Sequence, residues 1–485
     1  MLPDMGMGSS SDGPLGSTVT SDLETKSQRD DIAGKKLAMD TSDSSFAGAV
    51  VADEPMAALI ARGVLENGGN AADAATALYF ALSVTYPSAA GLGGGGVCLV
   101  RDADHGVKKK GSKKAEVKLG EVESIAFLTR RPRDGGPFGI PGNVRGFALL
   151  QARHGTALWS ELVSPAERIA GTGFNVSRAS ARRLNDAAAV IAGSSDLAAI
   201  YDRDGSHPYQ ETDLLSQTAL ATTLARIRSR GVGGFYEGET GGLLVDQAHQ
   251  KGGMLSQSDL TDYRPEVAPA QLIAAGDVAV ALPAKGLGAG AFASALWPNI
   301  QGASGAEALA AAAERTAVAL GAPGGAALNG DFGSTTFATV DTRGGAVACA
   351  VTMNGAFGSG RIAEGTGVAF ASSPEAPVKG LGSAFLVPVM VVNPETKGLY
   401  VAGAGAGAPK GGAAIEGAVM AAVSKGGSGG VAALQSGPAD ISSPVNAIVC
   451  PDGLPAGTCT LNPNPKGDGV GFSALAKKSS KGLFR

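Results

Sequence analysis

The sequence predicts an α+β protein, and three observations carry that expectation. Residues 337–340 and 346–353 are β-branched and apolar runs separated by Asp, Thr, Arg and Gly, the pattern of a hairpin. Residues 55–82 instead repeat apolar side chains at helical spacing, in two segments joined by Gly68-Gly69. The chain of 485 residues is 44% hydrophobic but only 5% aromatic and holds 73 glycines, so its core has to be built from small aliphatics and close backbone contacts.

In chain order, the first helix starts at Pro55 and sets Met56, Leu59, Ile60 and Val64 along one side. Asn70 caps the second, with Asp73 three residues on and Leu78, Ala81 and Leu82 facing inward. After Pro87, the run Gly91-Leu92-Gly93-Gly94-Gly95-Gly96 feeds a strand at 97–100. Its G-x-G-x-x-G spacing follows a helix and precedes a strand, the reverse of a dinucleotide site, so no cofactor is expected. Ser164 and Pro165 read as the N-cap and first residue of a further helix. Residues 284–330 are Gly/Ala-rich with one helix near 306–320, and the whole stretch reads as a mobile tether. Residues 385–392 and 398–402 read as paired strands. The glycine run 403–408 then enters a helix beginning near Ala413.

Composition excludes several classes. A net charge of -4 provides no basic surface for nucleic acid. Lys108-Lys109-Lys110 and Lys113-Lys114 belong to a Gly/Lys-rich insertion expected as a solvated loop. Residues 1–46 are expected as a disordered or extended segment. They lack the basic start and apolar run of a signal peptide, and no later run is long enough to span a membrane. The four histidines are scattered and no C-x-x-C occurs, so no metal site is expected. Cys450 and Cys459 flank a turn-rich loop and form either a local disulfide or two separate buried thiols. No Gly-x-Ser-x-Gly elbow with a suitable His points to a Ser-His-Asp hydrolase.

The chemistry concentrates at the hairpin. Its first strand opens with Ser334, Thr335 and Thr336; Thr352 and Asn354 lie on the second, before the turn Phe357-Gly358-Ser359-Gly360. A hydroxyl is a poor nucleophile at neutral pH without a base, and one solution is the α-amino group freed at the start of a mature chain. That amine titrates near pH ~8, so it can serve its own residue as base. The same hydroxyl could attack the carbonyl of Gly333 and cut the precursor by an N-to-O acyl shift.

At these residues the sequence resembles the γ-glutamyltransferase (γ-glutamyltranspeptidase) family of N-terminal-nucleophile hydrolases, which carries Thr-Thr-His-x-Ser-Val-x-Asp, Thr-x-Asn and Phe-Gly-Ser-Gly segments. An ungapped register through Asp341, Gly344, Thr352, Asn354 and 357–360 puts Ser334 at the nucleophile position; Thr335 is the one-residue alternative. The order Leu-x-Asn-Gly-Gly-Asn-Ala-x-Asp-Ala-Ala from Leu65, then Pro87 and the glycine run, resembles the family's amino-terminal signature. The resemblance spans about 47–430 and implies a four-layer αββα sandwich, with a large-subunit-like region at 47–333 and a small-subunit-like region at 334–485. It implies cleavage between Gly333 and Ser334, association of the two fragments, and oxyanion donors on the backbone of Ala406 and Gly407.

Departures from the family fall on substrate recognition. Leu128 stands where the family places an Arg that holds the glutamyl carboxylate, leaving Arg130 or Arg131 to reach it. The acidic amine anchor becomes Ala376, near Ser373, and a Ser-Ser pair becomes Ala384-Phe385. Two functions stay open: an amide hydrolase or acyltransferase on a small-molecule or peptide amide with an altered acyl pocket, or an inactive binding or structural relative. The family and a Cys450–Cys459 bond would imply a periplasmic or secreted protein; a cytoplasmic one stays open.

Overall fold

The structure, a computed structural model, describes residues 46–102, 121–434, 442–455 and 459–476. The expectations for 1–45 and for the lysine-rich insertion lie outside the described residues. The strands that build the main sheets are β1 (Phe46–Ala52), β2 (Gly95–Arg101), β3 (Val122–Phe127), β4 (Glu266–Pro269), β5 (Gln271–Ala275) and β6 (Val278–Leu282). They continue with β7 (Ser334–Asp341), β8 (Ala346–Thr352), β9 (Val387–Val392), β10 (Leu399–Gly405), β11 (Val445–Leu454), β12 (Thr460–Asn462) and β13 (Val470–Leu475). One sheet has the order β13-β1-β7-β8-β2-β3-β4 and the other β12-β11-β10-β9-β6-β5. Strand pairs within both are antiparallel.

The two-residue period of β7 shows how the layers form. Phe337 joins the apolar cluster on the helical side, and Thr339 donates to the carbonyl of Ala71 at a helix start. Ala338 and Val340 point the other way, into a cluster shared with Met390, Ala402 and Ile448 of the second sheet. Alanines at 338, 346, 348, 402 and 404 line this space between sheets, which is the role the low aromatic content anticipates.

Helices cover both outer faces. On the first sheet lie α1 (Pro55–Glu66), α2 (Ala71–Thr85), α3 (Asn143–His154), α4 (Trp159–Thr172) and α5 (Arg178–Asp186); on the second lie α6 (Gly290–Asn299), α7 (Ala306–Ala319) and α8 (Pro409–Val423). The result is the αββα sandwich the resemblance implies. Glu54 caps α1 by accepting from Ala57 N at 2.8 Å, ahead of Pro55. Asn70 and Asp73 form a reciprocal capping box on α2, and Asp73 also accepts the Thr156 hydroxyl at 2.7 Å, tying that helix start to the loop after α3.

Three local expectations are corrected. Ser164 and Pro165 sit inside α4, not at its start, because Leu162, Val163, Ala166 and Ala170 bury one continuous side across the proline and that packing outweighs the lost N–H. The last helix begins at Pro409 rather than near Ala413, with the proline ring setting its first turn. The stretch read as a tether is largely packed: Phe292, Leu296, Ala313 and Ala317 of α6 and α7 belong to the second sheet's core. Residues 284–289 and 300–305 link these helices to their neighbours without α-helix, and 320–330 holds a single 3₁₀ turn at Gly325–Asn329.

Candidate active site

Strand register brings the hairpin hydroxyls together. Thr352 pairs directly with Ser334, and on its other side with Gly95. Ser334 is only 2% exposed, and its Oγ donates to Thr352 Oγ1 at 3.0 Å. Thr352 Oγ1 accepts a second hydrogen bond, from Asn354 N at 3.0 Å, and donates to Phe332 O at 2.9 Å, with Gly333 O at 3.3 Å. The Gly333 carbonyl oxygen also accepts from Met353 N at 2.9 Å. The peptide carbonyl next to Ser334 is therefore polarised by a main-chain donor, with the Thr352 hydroxyl beside it.

The backbone before Ser334 is bent and pinned. Gly333 has φ +61, and a Cβ there would collide with the Gly355 carbonyl, so only glycine fits this turn. Its N–H donates to Asp331 Oδ1 at 2.8 Å. That same oxygen accepts from Arg183 Nη2 at 2.8 Å. Arg183, from α5, is almost fully buried, and the Asp331 carboxylate beside it helps to keep its guanidinium charged against the cost of burial.

Thr335 faces differently. Its hydroxyl donates to Asp53 Oδ2 at 2.7 Å, on the residue that follows β1, while Asn446 Nδ2 from the second sheet donates to Asp53 Oδ1 and Thr336 O, both at 2.9 Å. Burial pushes the Asp53 carboxyl above the usual carboxylate range, although these donors pull it back. Of the two candidate nucleophiles, Ser334 is the one whose oxygen bonds Thr352.

Asn354 is fixed by three side-chain bonds: Nδ2 to Thr129 Oγ1 (3.0 Å) and Ser372 O (3.1 Å), and Oδ1 from Ser383 Oγ (2.9 Å). Ser383 immediately precedes the Ala384-Phe385 pair, and a one-residue shift in the glycine-rich stretch 379–383 would have found it. Asp53, Asn446 and Arg183 were also missed in the sequence, since each reaches the hairpin across a large chain separation, and Asp331, two residues before Gly333, was missed because its partner Arg183 lies 148 residues away.

The remaining candidates lie as follows. Ala406 packs in an inter-sheet cluster with Val97, Ala350 and Leu386, but its N–H already donates to Pro444 O at 3.1 Å. Gly407 has φ +88 and turns against Ser442 and Ser443. Arg130 pairs with Glu266 and lies 4.8 Å over the Tyr263 ring; Arg131 pairs with Glu375 at 2.7 Å, both partners about half exposed. Ser373 is buried, and its Oγ accepts from Glu375 N at 3.3 Å. Leu128 packs with Leu287 against the Val97 cluster, and a Cβ on Gly95 would fall 2.7 Å from the Leu128 carbonyl carbon. Thr352 of β8, Gly95 of β2 and Leu128, the residue that follows β3, thus form neighbouring positions.

Both Cys450–Cys459 and a second pair, Cys98–Cys349, are disulfide-bonded. The second escaped sequence reading because its members are 251 residues apart and become neighbours only in the β2–β8 register. No helix among the described residues is long and apolar enough to cross a membrane.

Comparison with known proteins agrees with this architecture. The sequence model of the family described as Gamma-glutamyltranspeptidase matches residues 57–300. The glutathione hydrolase proenzyme of Pseudomonas aeruginosa is 35% identical over 242 residues, covering 46% of this chain and 41% of the relative. The glutathione hydrolase proenzyme of Bacillus subtilis is 31% identical over 224 residues, 44% of this chain and 38% of the relative. The chain thus matches about two-fifths of the length of these curated relatives. A cephalosporin acylase from Bacillus halodurans superposes with a TM-score of 0.68 at 17% identity, over 90% of this chain and 97% of that one, which shows the shared fold.

Proposed function

Because the chain belongs to the gamma-glutamyltranspeptidase family, we propose that it is a self-processing amide hydrolase or acyltransferase with Ser334 as its nucleophile. The observation that carries this reading is the 3.0 Å bond from Ser334 Oγ to Thr352 Oγ1, beside the Gly333 carbonyl. The family match ends before Ser334, so the assignment rests on this geometry.

In processing, Ser334 Oγ attacks the Gly333 carbonyl carbon while Met353 N–H holds the developing oxyanion. The C–N bond to Ser334 breaks, the hydroxyl proton passes to the leaving nitrogen, and Gly333 is left as an ester on Ser334. Water then hydrolyses the ester, giving fragments 1–333 and 334–485 that stay associated. The new α-amine of Ser334 becomes the base for its own hydroxyl, and the same oxygen attacks substrate amides. Thr352 and Asn354 hold that oxygen in place, and the Ala406–Gly407 turn supplies backbone donors for substrate. As Ala406 N–H is engaged by Pro444, Gly407 N–H takes the larger share.

The acyl pocket differs from that of a glutamyl-specific enzyme. Leu128 brings hydrocarbon to its wall, and Arg130 and Arg131 already have the carboxylate partners Glu266 and Glu375. A zwitterionic glutamyl head would be desolvated there without repayment, and a deficit of ~4 kcal/mol corresponds to roughly a thousandfold. Two disulfides fit an oxidising compartment, periplasmic or extracellular. The hydrogen-bonded Ser334-Thr352-Asn354 set gives no support to an inactive relative. The test offers processed protein a γ-glutamyl anilide and an anilide with an uncharged acyl group, beside Ser334→Ala. Preference for the uncharged donor, lost in the variant, is expected; efficient γ-glutamyl turnover would overturn the pocket assignment.

A further inference from the structure

We infer that the Cys98–Cys349 disulfide is a covalent tether between the two fragments, an inference that rests on the proposed cleavage after Gly333. Cys98 lies in β2, within 1–333, and Cys349 in β8, within 334–485. They face each other directly in the β2–β8 register. The scissile peptide lies between them in sequence, so in the uncut chain the bond closes a ring that contains residues 333 and 334. Cutting opens the ring and turns an intrachain crosslink into an interchain one. Cys450–Cys459 cannot do this, since both its members lie in the second fragment.

The surrounding fold matches such a role. In the first sheet, β1, β2, β3 and β4 come from the first fragment and β7, β8 and β13 from the second, in the interleaved order β13-β1-β7-β8-β2-β3-β4. In the second sheet, β5 and β6 pair onto β9 in the same way. Fragments woven together like this separate only when both sheets unfold, and a tether acts at that moment by keeping the partners in one molecule. Both cysteines are fully buried in the helical-side cluster with Phe337, Val347 and Val351. Ser334 faces the other sheet, so the crosslink leaves the nucleophile's side of the strand untouched. To form it, two thiols lose two protons and two electrons to a disulfide-bearing oxidant of an oxidising compartment, which is itself reduced to a dithiol.

The experiment denatures processed protein in the presence of a thiol-alkylating reagent, then measures mass with and without dithiothreitol. The expected result is one species containing both fragments without reductant and two separate fragments with it. The double variant Cys98→Ala, Cys349→Ala should give two fragments in both lanes. Its melting temperature should rise with protein concentration, because unfolding now dissociates the fragments, while that of the tethered protein stays independent of concentration. Two separate fragments from the wild type without reductant would overturn the tether. A single full-length chain under reduction would instead overturn the cleavage reading and the tether's function with it. A proteolytic map of unreduced peptides still reports the bond in that case: linked Cys98 and Cys349 peptides support the pairing, and alkylated Cys98 or Cys349 refutes it.

Discussion

Thr352→Val separates the role of the Thr352 hydroxyl from its role as a packed strand residue, because valine keeps the shape and the β-branch. The wild-type oxygen is fully buried; it accepts from Ser334 Oγ and Asn354 N and donates to Phe332 O. Removing it strands the Asn354 N–H, a loss of about 1–3 kcal/mol for a buried donor. Phe332 O loses less because Gly355 N still donates to it at 2.7 Å, and Ser334 Oγ can turn toward Phe332 O, now 3.5 Å away. The folding cost should therefore be about 2 kcal/mol, which a large sandwich survives. Cleavage should suffer more, since the oxygen that aligns the nucleophile is gone; a positioned proton-transfer group is commonly worth ~10²-fold or more. Fragment appearance would be followed by intact mass in a timed cell-free synthesis, with a thermal melt of the product as the folding control. Thr352→Ser, which keeps the hydroxyl, should process within about tenfold of wild type. A folded Thr352→Val that cuts at the wild-type rate would refute this role.

Three further outcomes follow from other buried groups. Glu416 of α8 is fully buried, both its carboxyl oxygens lack a hydrogen-bond partner among the described residues, and burial holds its acid well above the usual range. Below pH 4.5 both folded and unfolded states are protonated; above it the unfolded state ionises first and the native protein loses stability, so Glu416→Met should stabilise by about 1–3 kcal/mol at neutral pH, with the gain vanishing in acid. A less stable variant at pH 7 in thermal melts would contradict that. Burial alone would depress the buried His154, but its bonds to Asp102 (3.2 Å) and Glu123 (3.0 Å) outweigh this and raise it, while His154 and Arg153 overcome burial to bring Glu123 down to about 2. The His154 contribution is thus complete below pH 6.5 and fades as pH rises through its elevated folded value, and that of Glu123 is present above 4.5 and fades as pH falls toward 2. The melting gap between wild type and His154→Gln should be widest between pH 4.5 and 6.5; a gap that grows toward alkaline pH would count against the pairing. Thr335→Ala removes the 2.7 Å bond to Asp53 and should cost about 1 kcal/mol in stability while processing continues.

Local signals carried much of this molecule. The capping residues Asn70 and Asp73, the glycine corner at Gly68-Gly69 and the hairpin at Ser334 and Thr352 each involve neighbours in sequence or one strand register, and each stands where its pattern placed it. What failed was decided by packing at a distance. Pro165 reads locally as a helix start, yet the burial of Leu162 and Val163 before it extends the helix backward. Glycine and alanine between 284 and 330 suggest mobility, but the second sheet needs small residues to pack closely, and they form its cover. Asp331 and Arg183 are 148 residues apart, and the Thr335–Asp53 contact spans 282, so neither had a motif to announce it. Arg130 and Arg131 illustrate the converse limit: their charge was legible, but their engagement by Glu266 and Glu375 required the fold.

The most direct test is the intact mass of purified wild-type protein under reducing, denaturing conditions, set beside Ser334→Ala. The wild type should resolve into fragments of residues 1–333 and 334–485, and Ser334→Ala, with no hydroxyl to attack the Gly333 carbonyl, should remain one chain. A wild type that stays whole, a cut at a different peptide bond, or a Ser334→Ala chain that cuts normally would each contradict Ser334 as the nucleophile.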